Sequence, residues 1–353
     1  MLPVLRPGGL VEHRNVTVQQ PLFRSGQGRN QFWSMKTLLL SRPALCRLFF
    51  SLLLLVASGA TTLARPIANG TPAVTTSDGV RLYVRVAGQG RPCVFVHGGP
   101  GAGAAVQEAL AGPMLEQQFQ MVYLDQRGSG RSASAPAGAY GLPRLVQDLE
   151  ELRQQLHVNK WVLLAHSFGG LIATAYARQY PQHTLGLVFS NSILNLPASM
   201  ESLATHGYAL LPAATRPPLA PATPLPQRFG MVMALLNQQH LLDRLMYATD
   251  STATRVARVQ RAQPGANHDF AASLYSPGVI DGYLEDFTAA TPRLLMPVLV
   301  LPGQADDVTG PQHQAFRFPH QQVVVMPGRH NALFESPQEV RTALAGFSRR
   351  LAR

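Results

Sequence analysis

The stretch WVLLAHSFGGLIATAYARQY, residues 161–180, decides the fold of this chain. Its apolar run at 162–164 is followed at once by AHSFGG and then by the helical pattern of 171–180. An apolar run that turns directly into a helix predicts a buried strand of a parallel sheet. Ser167 then lies on the bend at the carboxyl end of that strand. A serine in this position is either a nucleophile on a tight turn or an ordinary helix N-cap.

The same pattern recurs along the chain of 353 residues, which is long enough to bury a large core. A helical pattern at 143–156 separates two of the apolar runs. This alternation predicts an α/β fold in which a mostly parallel sheet is covered by helices on both faces. The further strand-like runs are residues 82–86, 93–96, 121–124, 187–189, 298–301 and 323–326.

The alternation stops between residues 195 and 290. Seven prolines fall within 197–226, and a helical period resumes in RFGMVMALLNQQHLLDRLMY. We interpret 195–290 as a mostly helical cap that is inserted into a core formed by 65–194 and 291–353. Such a cap would lie over the carboxyl ends of the strands, where open α/β sheets bind ligands. An ordinary surface excursion is the alternative interpretation.

The first 64 residues have the composition of a targeting segment. They contain seven of the thirty Lys and Arg residues and a single acidic residue, Glu12. From Met35 onward, basic residues precede an apolar stretch at 48–57 and then small residues, as in secretory signal peptides. We therefore predict a signal peptide at 35–64, with 1–34 a mis-assigned or disordered extension, and an exported protein, periplasmic or secreted. A retained membrane anchor is the alternative for the same segment.

Charge and cysteine content narrow the functional classes. The formal net charge is +11, but no basic run occurs beyond the first 64 residues, so we expect no nucleic-acid partner. Cys46 falls in the predicted signal peptide, which leaves Cys93 alone and excludes an internal disulfide or a cysteine-ligated zinc site. The glycine-rich stretches lack the spacing of phosphate-binding loops and Rossmann motifs. We therefore predict no metal and no other cofactor.

Residues with catalytic chemistry fall at the carboxyl ends of the predicted strands. Serine alone is a poor nucleophile, because it needs a base to take its proton and an acid to orient that base. Ser167, Asp306 and His330 follow three different strands in the order Ser, Asp, His. Asp307 is the alternative to Asp306 at this point, because either carboxylate could reach an imidazole on a neighbouring loop.

Acyl transfer also requires N–H groups directed at the developing oxyanion. The backbone N–H of Phe168 is one candidate donor, and the N–H of Gly99, in the loop HGGPG at 97–101, is the other. Small residues allow the tight turn around the serine. Ala165 and Gly169 occupy the two positions that the G-x-S-x-G elbow fills with glycine.

Two stretches carry a family resemblance. HGGPG at 97–101 and YLDQRGSGRS at 123–132 resemble the signature of the proline iminopeptidase group of serine peptidases, within the α/β-hydrolase superfamily. The resemblance covers about residues 72–350 apart from the cap. The motif PGQADDVT is similar to the family pattern Gly-x-x-Asp-x-[Val/Ile]-[Thr/Val], which selects Asp306 over Asp307. The resemblance implies Ser167 as nucleophile, His330 as base, Asp306 as acid, and the N–H groups of Gly99 and Phe168 as oxyanion hole.

Two departures from the family pattern concern the substrate. The elbow is Ala-His-Ser-Phe-Gly instead of a glycine-rich elbow with an aromatic residue, and the cap lacks the Trp-Glu pair with which the group binds a free amino group. Other cap acids could pair with an ammonium group, although each is more simply a solvated helix charge. These acids are Glu201, Asp243, Asp250, Asp269, Glu285 and Asp286.

We therefore expect an exported serine hydrolase that works through an acyl-enzyme intermediate. An aminopeptidase of the proline iminopeptidase type is the first hypothesis, and a carboxylesterase or lactonase acting on small esters is the alternative. A ligand-binding protein on a hydrolase scaffold is a third. The expected partner is a small ester or a short peptide, with a membrane involved only if the signal segment is retained. The aminopeptidase requires a buried carboxylate under the cap, because an unpaired buried ammonium is costly.

Overall fold

An eight-stranded sheet forms the centre of the computed structural model, which describes residues 67–220 and 222–351. Its strands run in the order β1-β2-β4-β3-β5-β6-β7-β8. Their bounds are β1 (Val74–Thr75), β2 (Arg81–Gly88), β3 (Pro92–Val96), β4 (Gln120–Asp125), β5 (Trp161–His166), β6 (Thr184–Ser190), β7 (Val298–Leu301) and β8 (Gln321–Val323).

The ladder from β4 to β8 is parallel throughout, whereas β1 and β2 are antiparallel to their neighbours. The predicted mostly parallel α/β sheet is therefore confirmed. The last strand begins two residues earlier than the apolar run at 323–326, because the exposed glutamines Gln321 and Gln322 pair with β7, and it ends at Val323. An edge strand is solvated, so its residues do not have to be apolar.

Helices cover both faces of the sheet. In chain order they are α1 (Ala105–Leu110), α2 (Gly112–Leu115), α3 (Leu142–Gln155), α4 (Gly169–Gln179), α5 (Leu196–Leu210), α6 (Leu225–Gln238), α7 (Asp243–Met246), α8 (Asp250–Arg261), α9 (Asp269–Ser273), α10 (Ala332–Glu335) and α11 (Pro337–Arg350). Short 3₁₀ helices occupy Pro136–Gly138, Pro181–His183, Ile280–Tyr283, Phe287–Arg293 and Gly310–Ala315. No helix in the described ranges is both long enough and apolar enough to cross a membrane.

The alternation of side chains along each strand builds two apolar layers. On β5, Leu163 packs with α3 and α4 on one face of the sheet, and Leu164 packs with α2 and α11 on the other. Both leucines are fully buried, and burying one such side chain stabilises the fold by about 1.5–3 kcal/mol. The strand is apolar at every position before His166 because helices cover it on both sides.

The segment between β6 and β7 consists of α5 to α9 and two 3₁₀ helices, so its structure is mostly helical. It docks on the core through a β-bridge between Asn267 and Gly130. Phe270 lies edge-on to Phe168, with ring centroids 5.9 Å apart. Tyr283 packs on the same Phe168 ring at 4.9 Å. Aromatic side chains of the cap therefore sit directly on the residue that follows Ser167.

The cysteine and targeting predictions have different outcomes. Cys93 is a buried, unpaired thiol in β3, and its burial raises the pKa of the thiol. A small apolar role in the core explains this residue. The predicted signal peptide at 35–64 and the extension at 1–34 lie outside the described residues and stay predictions.

Candidate active site

Ser167 lies on a sharp turn between β5 and α4. Its backbone φ is +52°, a left-handed conformation that costs a non-glycine residue about 1–3 kcal/mol. Hydrogen bonds hold the turn, because the carbonyl of Ser167 accepts from the N–H groups of Gly170 and Ile193, both at 2.9 Å. Phe168, not Ser167, occupies the N-cap position of α4. The serine is therefore not the ordinary helix cap that the sequence left open.

Close contact between the elbow and the loop after β3 explains the glycines around Ser167. A Cβ atom on Gly169 would lie 2.1 Å from the carbonyl oxygen of Val96. A Cβ atom on Gly98 would lie 2.6 Å from the Cβ of Ser167. Ala165, which replaces the first glycine of the elbow pattern, is fully buried in the apolar layer of β5. Its methyl group fits because it points into the core and not across the turn.

The structure brings Ser167, His330 and Asp306 into one hydrogen-bonded chain. The Oγ atom of Ser167 lies 2.8 Å from Nε2 of His330. The Nδ1 atom of His330 lies 3.0 Å from Oδ1 of Asp306 and 3.2 Å from Oδ2. Because a carboxylate only accepts, Nδ1–H donates to Asp306, which leaves Nε2 free to accept the serine proton.

Asp306 is fixed by donors from several elements. Its Oδ2 accepts from Oγ1 of Thr309 at 2.6 Å and from Nδ2 of Asn191 at 2.8 Å, and its Oδ1 accepts from the N–H of Val308 at 3.0 Å. Burial alone would raise the pKa of Asp306, but the adjacent His330 and the hydrogen bonds from Thr309 and Asn191 lower it below the usual range. The acid is therefore charged whenever His330 acts as a base.

Asp307 points away from this chain of hydrogen bonds. Its carboxylate is partly exposed and pairs with Nη1 of Arg329 at 3.0 Å. The structure therefore agrees with the family pattern, which selects Asp306 over Asp307.

The fold and the elbow match a known family. The alpha/beta hydrolase fold model covers residues 91–337, from the residue before β3 to the first residue of α11. The chain belongs to the α/β hydrolase fold family. By family it is a serine-type hydrolase.

Within the α/β hydrolases, this chain is similar to proline iminopeptidases. It is 38% identical to the proline iminopeptidase of Neisseria meningitidis over 110 residues, which are 31% of this chain and 35% of that protein. It is 35% identical to the enzyme of Saccharolobus solfataricus over 130 residues, 35% of this chain and 42% of that protein. The chain thus spans less than half the length of these curated relatives. The predicted resemblance is confirmed.

One solved structure extends the likeness over the whole core. The crystal structure of a proline iminopeptidase-related protein from Thermus thermophilus superimposes with a TM-score of 0.68 and 25% sequence identity. The superposition covers 80% of this chain and 98% of that one. The likeness therefore extends well beyond the stretches that match in sequence.

In this α/β hydrolase the loop of Gly99 lies beside the elbow. A Cβ atom on the preceding Gly98 would lie 3.3 Å from the backbone nitrogen of Phe168. Over residues 67–220 and 222–351, neither the N–H of Gly99 nor that of Phe168 donates to another protein group. Phe168 is buried, whereas Gly99 is exposed. Two donors in adjacent loops without protein acceptors have the character that an oxyanion hole requires. Their role toward a bound substrate stays a prediction.

Buried histidines hold the loops on either side of Ser167. His97 donates from Nδ1 to the carbonyl of Gly98 at 2.8 Å and accepts at Nε2 from the N–H of Gln126 at 3.0 Å. His166 donates from Nε2 to the carbonyl of His330 at 2.9 Å. Burial lowers the pKa of His97, and burial together with the neighbouring His330 lowers the pKa of His166 to about 3. Both imidazoles are therefore neutral structural groups at physiological pH.

None of the six acids proposed for an ammonium group is buried. All six side chains are exposed, and so is Asp281, the remaining acid of 195–290. Glu201 pairs with Arg228 at 2.5 Å, and Glu285 pairs with Arg178 on α4. In the described part of this segment, no carboxylate is positioned as a buried partner for a cation. Ranges 67–220 and 222–351 likewise contain no cluster of three or more His, Cys, Asp or Glu side chains that could hold a metal.

Sequence reasoning missed the donors that fix the triad. Thr309 was visible only as the last residue of the motif PGQADDVT. Asn191 follows an apolar strand and belongs to no motif, so its contact with Asp306 becomes apparent only when β6 and β7 are adjacent.

Proposed function

We propose that this α/β hydrolase cleaves its substrate through an acyl-enzyme formed on Ser167. The observation that carries the proposal is the buried chain of hydrogen bonds from Ser167 through His330 to Asp306. His330 takes the hydroxyl proton at Nε2 while Oγ attacks the substrate carbonyl carbon, and the carbonyl oxygen becomes an oxyanion. The N–H groups of Gly99 and Phe168 stabilise that charge.

Collapse of the tetrahedral intermediate completes acylation. The bond to the leaving group breaks, and His330 returns its proton to the departing oxygen or nitrogen. A water molecule then loses a proton to His330 and attacks the acyl carbon. The bond between that carbon and Oγ breaks, the acid leaves, and His330 returns the proton to Oγ of Ser167. Throughout, Asp306 holds the Nδ1–H tautomer and stabilises the imidazolium that forms.

We further propose that the acyl group is small and uncharged, as in a short-chain ester or lactone. A free ammonium group that is buried beside Ser167 would need a carboxylate partner, because an unpaired buried charge costs several kcal/mol, in order of magnitude. The acids of the cap are exposed and several already pair with other groups. The geometry therefore favours neutral acyl substrates.

An aminopeptidase of the proline iminopeptidase type is the second candidate. It is supported by the sequence likeness to proline iminopeptidases of Neisseria meningitidis and Saccharolobus solfataricus. A ligand-binding protein on the same scaffold is a third reading, which the complete Ser167–His330–Asp306 chain disfavours.

A matched substrate panel separates these candidates. We expect hydrolysis of 4-nitrophenyl butyrate to be faster, in kcat/KM, than hydrolysis of prolyl-4-nitroanilide by the same purified protein. N-acetyl-prolyl-4-nitroanilide is the control, because it keeps the scissile amide and removes the ammonium group. A preference for the free prolyl amide over its acetylated form by tenfold or more would establish the aminopeptidase instead. If the protein turned over no ester, lactone or amide in a Ser167-dependent way, the ligand-binding protein would be the remaining candidate.

We also propose that the protein is exported through the segment at 35–64, so that the working chain begins near residue 65. The segment has the basic, apolar and small-residue regions of a signal peptide. Mass spectrometry of the native protein after cell fractionation is expected to find an N-terminus close to Arg65 in the periplasmic or secreted fraction. Peptides from 1–34 in the isolated protein would contradict both the start at Met35 and the cleavage.

A further inference from the structure

Asn191 lies one residue beyond β6, between the strands that carry Ser167 and Asp306. It is 2% exposed and has a backbone φ of +47°. Asparagine is among the few residues that adopt this left-handed conformation readily. The turn places both the backbone and the side chain of Asn191 inside the site.

The backbone of Asn191 connects the nucleophile elbow to β7. Its carbonyl accepts from the N–H of Ser167 at 3.1 Å, and its own N–H donates to the carbonyl of Leu301 at 3.1 Å. The turn that carries the nucleophile is thereby tied to the strand that leads to Asp306.

The side chain of Asn191 contacts the other two loops of the triad. Nδ2 donates to Oδ2 of Asp306 at 2.8 Å and to the carbonyl of Arg329 at 3.0 Å. Oδ1 accepts from the N–H of Ala332 at 3.4 Å. Arg329 and Ala332 flank His330 in the chain, so one amide group holds the histidine loop on both sides and the acid at the same time.

We propose that Asn191 is the positioning residue that keeps the three loops of the triad in register. The inference rests on the proposed function, since it concerns the geometry of that same reaction. The three loops follow different strands, and a displacement of about 1 Å in a reacting group costs about 100-fold in rate. Asn191 bonds to all three loops, through its backbone carbonyl to the elbow and through its side-chain amide to the loops of Asp306 and His330, and these bonds remove most of this freedom.

Asn191→Gly tests the proposal because glycine keeps the positive φ and the backbone contacts but deletes the amide. We expect kcat to fall about 10- to 100-fold, with KM changed less than about twofold because no substrate contact is removed. Ser192→Ala is the matched control. It removes a buried hydroxyl from the next residue, which donates to the carbonyls of Ala165 at 2.9 Å and Ser190 at 3.3 Å and forms no hydrogen bond with a triad side chain in the described ranges; we expect it to retain kcat within about threefold.

A double-mutant cycle separates positioning from a general loss of structure. In a His330→Ala background, Asn191→Gly is expected to lower the residual rate by less than about threefold, because residues that act as a unit are not additive. An equal loss in both backgrounds, or an unchanged kcat in the single variant, would overturn the proposal. So would a loss that only matches the fraction of protein unfolded at the assay temperature.

A second variant covers the case in which Asn191→Gly does not fold. Asn191→Asp keeps the size of the side chain and tolerates positive φ, but it places an acceptor where Nδ2 donates to Asp306. At pH 8 we expect its kcat to lie at least about 10-fold below that of the wild type, and a kcat equal to wild type would contradict the proposal. If wild-type turnover does not depend on Ser167, the proposed function fails; if it does and both variants match wild type, only the role of Asn191 fails.

Discussion

Ser167→Ala is expected to lower kcat by about 10⁴- to 10⁶-fold, the range that follows loss of a triad nucleophile. The Oγ atom of Ser167 is the only atom of that side chain that can form the acyl bond, and it lies 2.8 Å from the base. Its removal leaves the oxyanion donors and the binding surface intact, so a small residual rate above the uncatalysed reaction is expected. The measurement is kcat on the preferred ester, together with labelling by a fluorophosphonate probe, which requires the same hydroxyl.

Ser132→Ala is a suitable control for this variant. Ser132 is a buried serine whose hydroxyl accepts from the N–H of Tyr83 at 2.8 Å and lies outside the triad. The Ser132→Ala variant should keep its turnover and its labelling by the probe, and it should lose only a modest amount of stability. If Ser167→Ala retained more than about one hundredth of the wild-type rate, the acyl-enzyme mechanism would be wrong.

Gly169→Ala is expected to destabilise the fold by more than about 3 kcal/mol, because the new Cβ would overlap a backbone atom that has no room to move. The nearest atoms are the carbonyl oxygens of Val96 at 2.1 Å and of His97 at 2.8 Å, both in the loop that packs on the elbow. The total stability of a domain is typically about 5–15 kcal/mol. We expect a large fall in the midpoint of urea unfolding and poor recovery of soluble protein.

Gly230→Ala makes the same chemical change in open space. Gly230 lies in α6, is exposed, and has nothing within 4 Å of an added Cβ. Alanine there should stabilise the protein by about 0.5–1 kcal/mol, through a better helix propensity and a less flexible unfolded chain. If the two variants unfolded at the same urea concentration, the close packing of the elbow on the loop after β3 would be wrong.

The sequence predicted those strands whose burial produces a run of apolar residues along the chain. β5 is apolar at nearly every position because both of its faces are covered, and this pattern is visible without any knowledge of neighbours. β8 has no such pattern, since its glutamines are exposed at the edge of the sheet. The run at 323–326 therefore indicated the existence of a strand but misplaced both its start and its end, since it shares only Val323 with β8. The two-residue strand β1 gave no signal at all.

The residues of the candidate site also fall into those that the sequence predicted and those that it did not. Ser167, Asp306 and His330 stand in local motifs, so each was found from a short window of sequence. Asn191 acts through residues 24, 115 and 138 positions away in the chain. Such contacts depend on which strands become neighbours, a property that no short window contains. The exposure of the cap acids is likewise set by helix packing and could not be read from their charges.

The packing of Phe168 under Phe270 and Tyr283 has a consequence for protein engineering. Exchanging the insert between family members is an attractive route to new substrates, because its ends lie close to β6 and β7. The side chain at 168 belongs to the core by sequence but to the insert by packing. A chimera that transplants the insert alone would set foreign residues against Phe168 and strain the turn beside the nucleophile. Crossover libraries should therefore vary position 168 together with the insert.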